Sequence, residues 1–150
     1  LYSTLYNIFV GKGLTVACTA WTGIAANLLP GGRTSASLFK LNVKDRSESS
    51  LHRRQLKDAR ELAENDVFIW DESPMIPKAA LNTADAVLRD ITQIDRPFGG
   101  KIVILGGDFR QILPVVEKGT RSDQVNACIK RSPLWTQFRS LHLIFNMRVT

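Results

Sequence analysis

The chain has 150 residues, 44% hydrophobic and 23% charged, a composition that suits one folded domain, or part of one, and excludes a disordered or fibrous chain. Nothing approaches the roughly 18 consecutive apolar residues of a membrane span, and no signal peptide stands at the start. The net charge of +6 favours a polyanionic partner, and Cys18 and Cys128 lie too far apart for zinc spacing and read as free thiols.

LYSTLYNIF (1–9) has the pattern of a helix interior, and the chain starts at Leu1, not Met. A piece of a longer protein is therefore expected. LTVAC (14–18) is the first of four short apolar runs expected as strands. The others are VFIWD (67–71), IVILGG (102–107) and LHLIF (141–145). Three of the four are near-continuously apolar, which suits strands covered on both faces of a parallel sheet. Gly31–Gly32–Arg33–Thr34 is expected as a flexible turn carrying a cation, and NVKDRSESS (42–50) as an exposed loop. Residues 50–64 carry Leu51, Leu56, Ala59, Leu62 and Ala63 on one broad helical face. Residues 77–91 carry Ala80, Ala84, Val87, Leu88 and Ile91 at helical spacing, with Pro77 placed for the first turn. VEKGTRSD (116–123) reads as a loop, 123–131 as a short helix, and SPLWTQF (132–138) as another. Strands alternating with helices predict an α/β fold with a parallel sheet, whose ligands bind beyond the carboxyl ends of the strands. His52 and His142 are isolated and read as structural.

Against that frame VFIWDESPM (67–75) is unusual, because an apolar run ends in two adjacent carboxylates, Asp71 and Glu72. Acids are costly inside a core unless paired or bound to metal. One carboxylate beside a magnesium ion and one beside a water is sufficient chemistry for hydrolysing a phosphate ester or anhydride. The second strand end, IVILGGDFRQILPV (102–115), supplies Gly106–Gly107 and then Asp108, Arg110 and Gln111 at the same sheet edge. Gln111 is a neutral donor and acceptor suited to sensing a terminal phosphate or a water. Thr19, Thr22 and Gly23 sit at a strand-to-helix junction, where hydroxyls and backbone amides can hold a phosphate. Trp21 either stacks a base or packs, and Arg33 adds a cation. Arg148, in FNMR (145–148), is suited to the charge that develops on a transferred phosphoryl group.

The order of these stretches resembles the PIF-type (petite integration frequency) DNA helicases of superfamily one B, above all their divergent, transposon-like eukaryotic branch. TAWTGIAANLLPGGRTSASLFKL (19–41) resembles motif Ia, IWDESPM motif II, GGDFRQILPV motif III and NMR motif IV, with VNACIKRSPLW (125–135) between the last two. The resemblance implies a RecA-like sheet of the P-loop NTPase class, with residues 1–150 forming an incomplete first motor domain. It implies ATP as substrate with Mg2+, and single-stranded and duplex DNA as partners, with no membrane. Asp71 would bind the magnesium and Glu72 would activate water. Gln111 would couple the γ-phosphate to DNA movement, Arg148 would contact that phosphate, and Thr22 with its neighbours would touch the DNA backbone. The implied activity is 5′-to-3′ unwinding driven by ATP hydrolysis, in repair, recombination and telomere maintenance, in the nucleus or in mitochondria.

Two departures stand out. Ala36 occupies the place of a motif Ia His, which puts one polar contact in doubt. A loop of the form G-x-x-x-x-G-K-[ST], which cradles phosphates with backbone amides and a Lys, does not occur in these residues, and the GKG at 11–13 lacks the pattern. The 150 residues alone are therefore expected to hydrolyse ATP very poorly. A rival reading is a non-catalytic nucleic-acid-binding remnant of a transposon helicase gene. A third is a nuclease holding metals with Asp71, Glu72 and Asp108.

Overall fold

The computed structural model describes residues 1–41, 57–110 and 114–145. Four parallel strands form one sheet in the order β2-β1-β3-β4: β1 (Val16–Ala20), β2 (Arg33–Thr34), β3 (Val67–Asp71) and β4 (Ile102–Leu105). Flanking them are α1 (Tyr2–Gly11), α2 (Gly23–Asn27), α3 (Ser35–Leu38), α4 (Lys57–Glu64), α5 (Lys78–Thr92) and α6 (Arg121–Ala127). The α/β architecture expected from the strand and helix alternation is present. Among the described residues no helix is long and apolar enough to cross a membrane.

The uninterrupted apolar run of β3 has a direct cause. Successive side chains of a strand point to opposite faces, and here both faces are covered. Phe68 and Trp70 enter one core with Phe39, Ile76, Leu81 and Leu88. Val67 and Ile69 enter the other with Cys18, Ala20, Ala26 and Leu29, against which Tyr2, Leu5 and Phe9 of α1 pack. Val67, Phe68, Ile69 and Trp70 are all fully buried. Asp85, inside α5, is buried too, and it accepts the Phe98 N–H at 2.5 Å and pairs with Arg89 Nε at 2.9 Å. That carboxylate ties α5 to the turn that launches β4. Cys18 and Cys128 are buried free thiols.

The structure departs from the sequence reading in several places. Gly31–Gly32–Arg33–Thr34 is not a flexible turn: Arg33 and Thr34 pair with Thr19 and Ala20 as an edge strand. Gly32 permits this tight return, since a Cβ there would lie 2.0 Å from the Ala26 carbonyl oxygen. LHLIF (141–145) is not a strand, and Leu141, Leu143, Ile144 and Phe145 are each at least 80% exposed. An apolar run becomes a strand only when another strand completes its ladder, and none of the described strands pairs with it. The helix expected over 123–131 starts earlier, at Arg121, and stops at Ala127. Thr120 and Asp123 form a reciprocal capping box at its start, so 121–123 is helix rather than loop. Cys128 turns extended to bridge Pro77, and a 3₁₀ turn follows over Ile129–Arg131. Pro77 itself precedes the first turn of α5, and SPLWTQF forms a 3₁₀ turn over Pro133–Gln137. The expected loop 42–50 and the first part of the helix expected over 50–64 lie outside the described residues; its remainder is α4.

Candidate functional site

Parallel pairing brings strand ends with the same polarity to one edge. Ala20 is in register with Asp71, and Trp70 with Leu105. The chain leaves β1 through Trp21 and Thr22, β3 through Asp71 and Glu72, and β4 through Gly106, Gly107 and Asp108. Two backbone bonds extend the last pairing past the strands: Gly106 N–H to Trp70 O and Ser73 N–H to Gly106 O, both 2.9 Å. The pair of glycines is required by space. A Cβ on Gly106 would lie 2.0 Å from the Tyr2 hydroxyl, and one on Gly107 would lie 2.4 Å from Pro74 Cδ.

The two carboxylates are held from different sides. Asp71 Oδ1 accepts the Tyr2 hydroxyl at 2.6 Å and the Glu72 N–H at 2.7 Å. Glu72 adopts a left-handed backbone, φ 57 and ψ 34, which a non-glycine residue keeps only where its surroundings enforce it. Its Oε2 accepts the Thr22 N–H at 2.8 Å and its Oε1 the Thr22 hydroxyl at 3.1 Å. The Thr22 hydroxyl in turn accepts the Ala25 N–H and caps α2. Asp108 is engaged elsewhere: its carboxylate accepts Arg110 N–H at 2.9 Å and pairs with Arg110 Nε at 3.1 Å. The Arg110 side chain, and after it the Arg110 backbone, hold Asp108 below the usual carboxylate range. Among the described residues no group of three His, Cys, Asp or Glu could hold a metal, so the geometry does not assemble the three-acid nuclease site.

The remaining sequence candidates fall in different environments. Thr19 is fully buried, with its hydroxyl donating to Arg33 O at 2.8 Å and meeting Ser35 Oγ at 3.4 Å. Its side chain thus serves the β1–β2 pairing and does not reach solvent. Trp21 packs partly buried against the core. Gly23 opens α2 and is exposed, as is Arg33, whose Nη2 lies 3.5 Å from Ser37 Oγ. Gln111 and Arg148 lie outside the described residues. Tyr2 is the participant that the sequence reading missed. It lies 69 residues from its partner Asp71, and a tyrosine on a helix carries no local mark of such a contact.

Burial first, and then the hydrogen bond to and charge of Asp71, raise the Tyr2 phenol well above its ordinary value of 10.0. Because the folded value is the higher one, the stabilisation is complete below about pH 10 and is lost as pH rises through and beyond it. Alkaline absorbance titration should therefore show a late tyrosine step that is missing in Tyr2→Phe. A titration with no late step to lose would argue against the Tyr2–Asp71 bond.

The PIF1-like helicase family model matches residues 1–150. The chain is 37% identical over 136 residues to the ATP-dependent DNA helicase Pif1 of Psychrobacter sp. (strain PRwf-1), an overlap of 88% of this chain and 20% of that protein. Crystal structures of Bacteroides Pif1 superpose on 91% of this chain and 33% of theirs: one bound to single-stranded DNA (26% identity, TM-score 0.70) and one in complex with ADP-AlF4 (27% identity, TM-score 0.71). The chain thus spans about a fifth of the Psychrobacter protein's length. With a match over every residue and with the parallel sheet shared, the chain belongs to the PIF1-like helicase family.

Proposed function

We propose that residues 1–150 form part of the first RecA-like motor domain of an ATP-dependent DNA helicase that moves 5′ to 3′. The observation that carries this reading is the convergence of Asp71, Glu72 and Thr22 at one sheet edge, within direct hydrogen-bond contact. The relatives' names and the DNA-bound and ADP-AlF4-bound structures support it.

Asp71 fits a magnesium ligand. Its Oδ1 is oriented by Tyr2 and by the Glu72 amide, and among the described residues Oδ2 takes no hydrogen bond. A single carboxylate suits an ion that keeps several waters and takes its other ligands from substrate phosphates. Bound there, magnesium would neutralise charge on the β- and γ-phosphates. Glu72 would accept a proton from the attacking water as the water oxygen bonds to the γ-phosphorus. The bond from that phosphorus to the bridging oxygen breaks, giving ADP and phosphate. In the same reading Gln111 couples the γ-phosphate to DNA movement and Arg148 steadies its charge. Thr22, Gly23 and Arg33 face the backbone of single-stranded DNA, with Trp21 beside them and Thr19 holding Arg33 in place through its carbonyl. We extend the reading to repair, recombination and telomere maintenance, in the nucleus or in mitochondria.

The test is ATP turnover by the full-length protein against magnesium concentration. Asp71→Asn should cut turnover on the order of 10²-fold or more, the scale of losing one electrostatic element of a phosphoryl-transfer site, and should raise the magnesium needed. Turnover with unchanged magnesium dependence would remove Asp71 from the site.

A further inference from the structure

We infer that Thr22 is a latch on Glu72: it holds the general base away from water until DNA claims the same donors. This inference rests on the readings of Glu72 and of Thr22 given above. Both ends of Glu72 are restrained in the structure. Its amide donates to Asp71 Oδ1, its backbone is left-handed, and each carboxylate oxygen accepts one bond from Thr22. A general base needs an oxygen within hydrogen-bond reach of the proton it removes. Here both oxygens are aimed at the start of α2, which belongs to a segment 50 residues away in sequence.

The chemistry of release is competition. The donors that hold Glu72 are one backbone N–H and one hydroxyl at a strand-to-helix junction, the kind of donors that contact nucleic-acid phosphates. A phosphate oxygen and a carboxylate oxygen are both anionic acceptors, so one hydroxyl proton serves only one of them. A DNA phosphate that takes the Thr22 donors therefore frees Glu72. α2 is suited to yield, because it has five residues, buries only Ala26, leaves Ile24 more than 80% exposed, and is followed by Leu28, equally exposed. Hydrolysis and DNA contact would then be joined by one residue, with no longer path between them.

The experiment measures kcat and KM for ATP in the full-length protein, with and without saturating oligo(dT). Thr22→Val removes the hydroxyl donor and the cap. Thr22→Asp keeps an acceptor for the Ala25 N–H but removes the donor and repels Glu72. Both should raise DNA-free kcat about tenfold, the scale of one hydrogen bond to a charged group, with KM within about twofold. DNA-saturated kcat should stay near wild type, so the stimulation ratio falls, and Thr22→Ser should restore it. A merely structural cap predicts normal behaviour in Thr22→Asp. An unchanged ratio in either variant, or an equal loss with and without DNA, overturns the latch. Glu72→Gln, run alongside, separates the two failures. If it hydrolyses ATP normally, the site reading itself falls; if it is inactive while Thr22→Val keeps a normal ratio, only the latch falls.

Discussion

Glu72→Gln in the full-length protein is expected to lower ATP turnover on the order of 10²–10⁴-fold, the worth of a positioned general base, while nucleotide binding is retained. The substitution is nearly isosteric, and a Gln carbonyl oxygen still accepts a bond from Thr22, so α2 keeps its cap and Asp71 keeps its bonds. What would be lost is the charge that, in the proposed mechanism, takes the proton from water. A loss confined to kcat would show that Glu72 acts in the transition state rather than in binding. Normal hydrolysis by Glu72→Gln would transfer the base role elsewhere and leave VFIWDESPM as a strand end with two solvated acids.

The second large effect lies one residue before the carboxylates. Trp70→Ala should lower stability by about 3–5 kcal/mol, because it empties a large, fully buried site and leaves a cavity. Folded domains keep only about 5–15 kcal/mol in all. Trp70 stacks on Phe39 with ring centroids 5.1 Å apart, so its loss also loosens the segment after α3. Trp70→Phe makes an informative contrast. It keeps a ring against Phe39 and deletes a buried indole N–H that has no partner among the described residues. Its cost should be far smaller, about 1 kcal/mol. Urea midpoints for this domain's transition would check the pair, and equal costs would contradict the packing account, since a phenyl ring would then fill the site no better than a methyl group.

The parts of this architecture legible in the sequence are those with a local signature. β3 announces itself because a strand covered on both faces is apolar without alternation, and β1 and β4 lie within apolar runs although β4 is only partly buried. Asp71 and Glu72 are legible as acids where an apolar run ends. β2 is not, since Arg33 and Thr34 are two polar residues whose strand character comes wholly from pairing with Thr19 and Ala20. LHLIF misleads for the converse reason: it has a strand's composition without a neighbouring strand among the described residues. The helix expected over 123–131 is cut at Cys128 by a bridge to Pro77, a contact that no periodicity records. In the site itself, the residue types were legible and their partners were not. Tyr2 reaches Asp71, and Thr22 reaches Glu72, across 69 and 50 residues, and only the stacking of strand ends at one edge brings them together.

The most direct test of the central claim is unwinding by the full-length protein on tailed duplexes, with ATP and magnesium. The account predicts unwinding of a duplex with a 5′ single-stranded tail, little with a 3′ tail, and none by Glu72→Gln. Single-stranded DNA binding without ATP turnover or unwinding would contradict it and favour a nucleic-acid-binding remnant. Unwinding that survives Glu72→Gln would contradict it at the site.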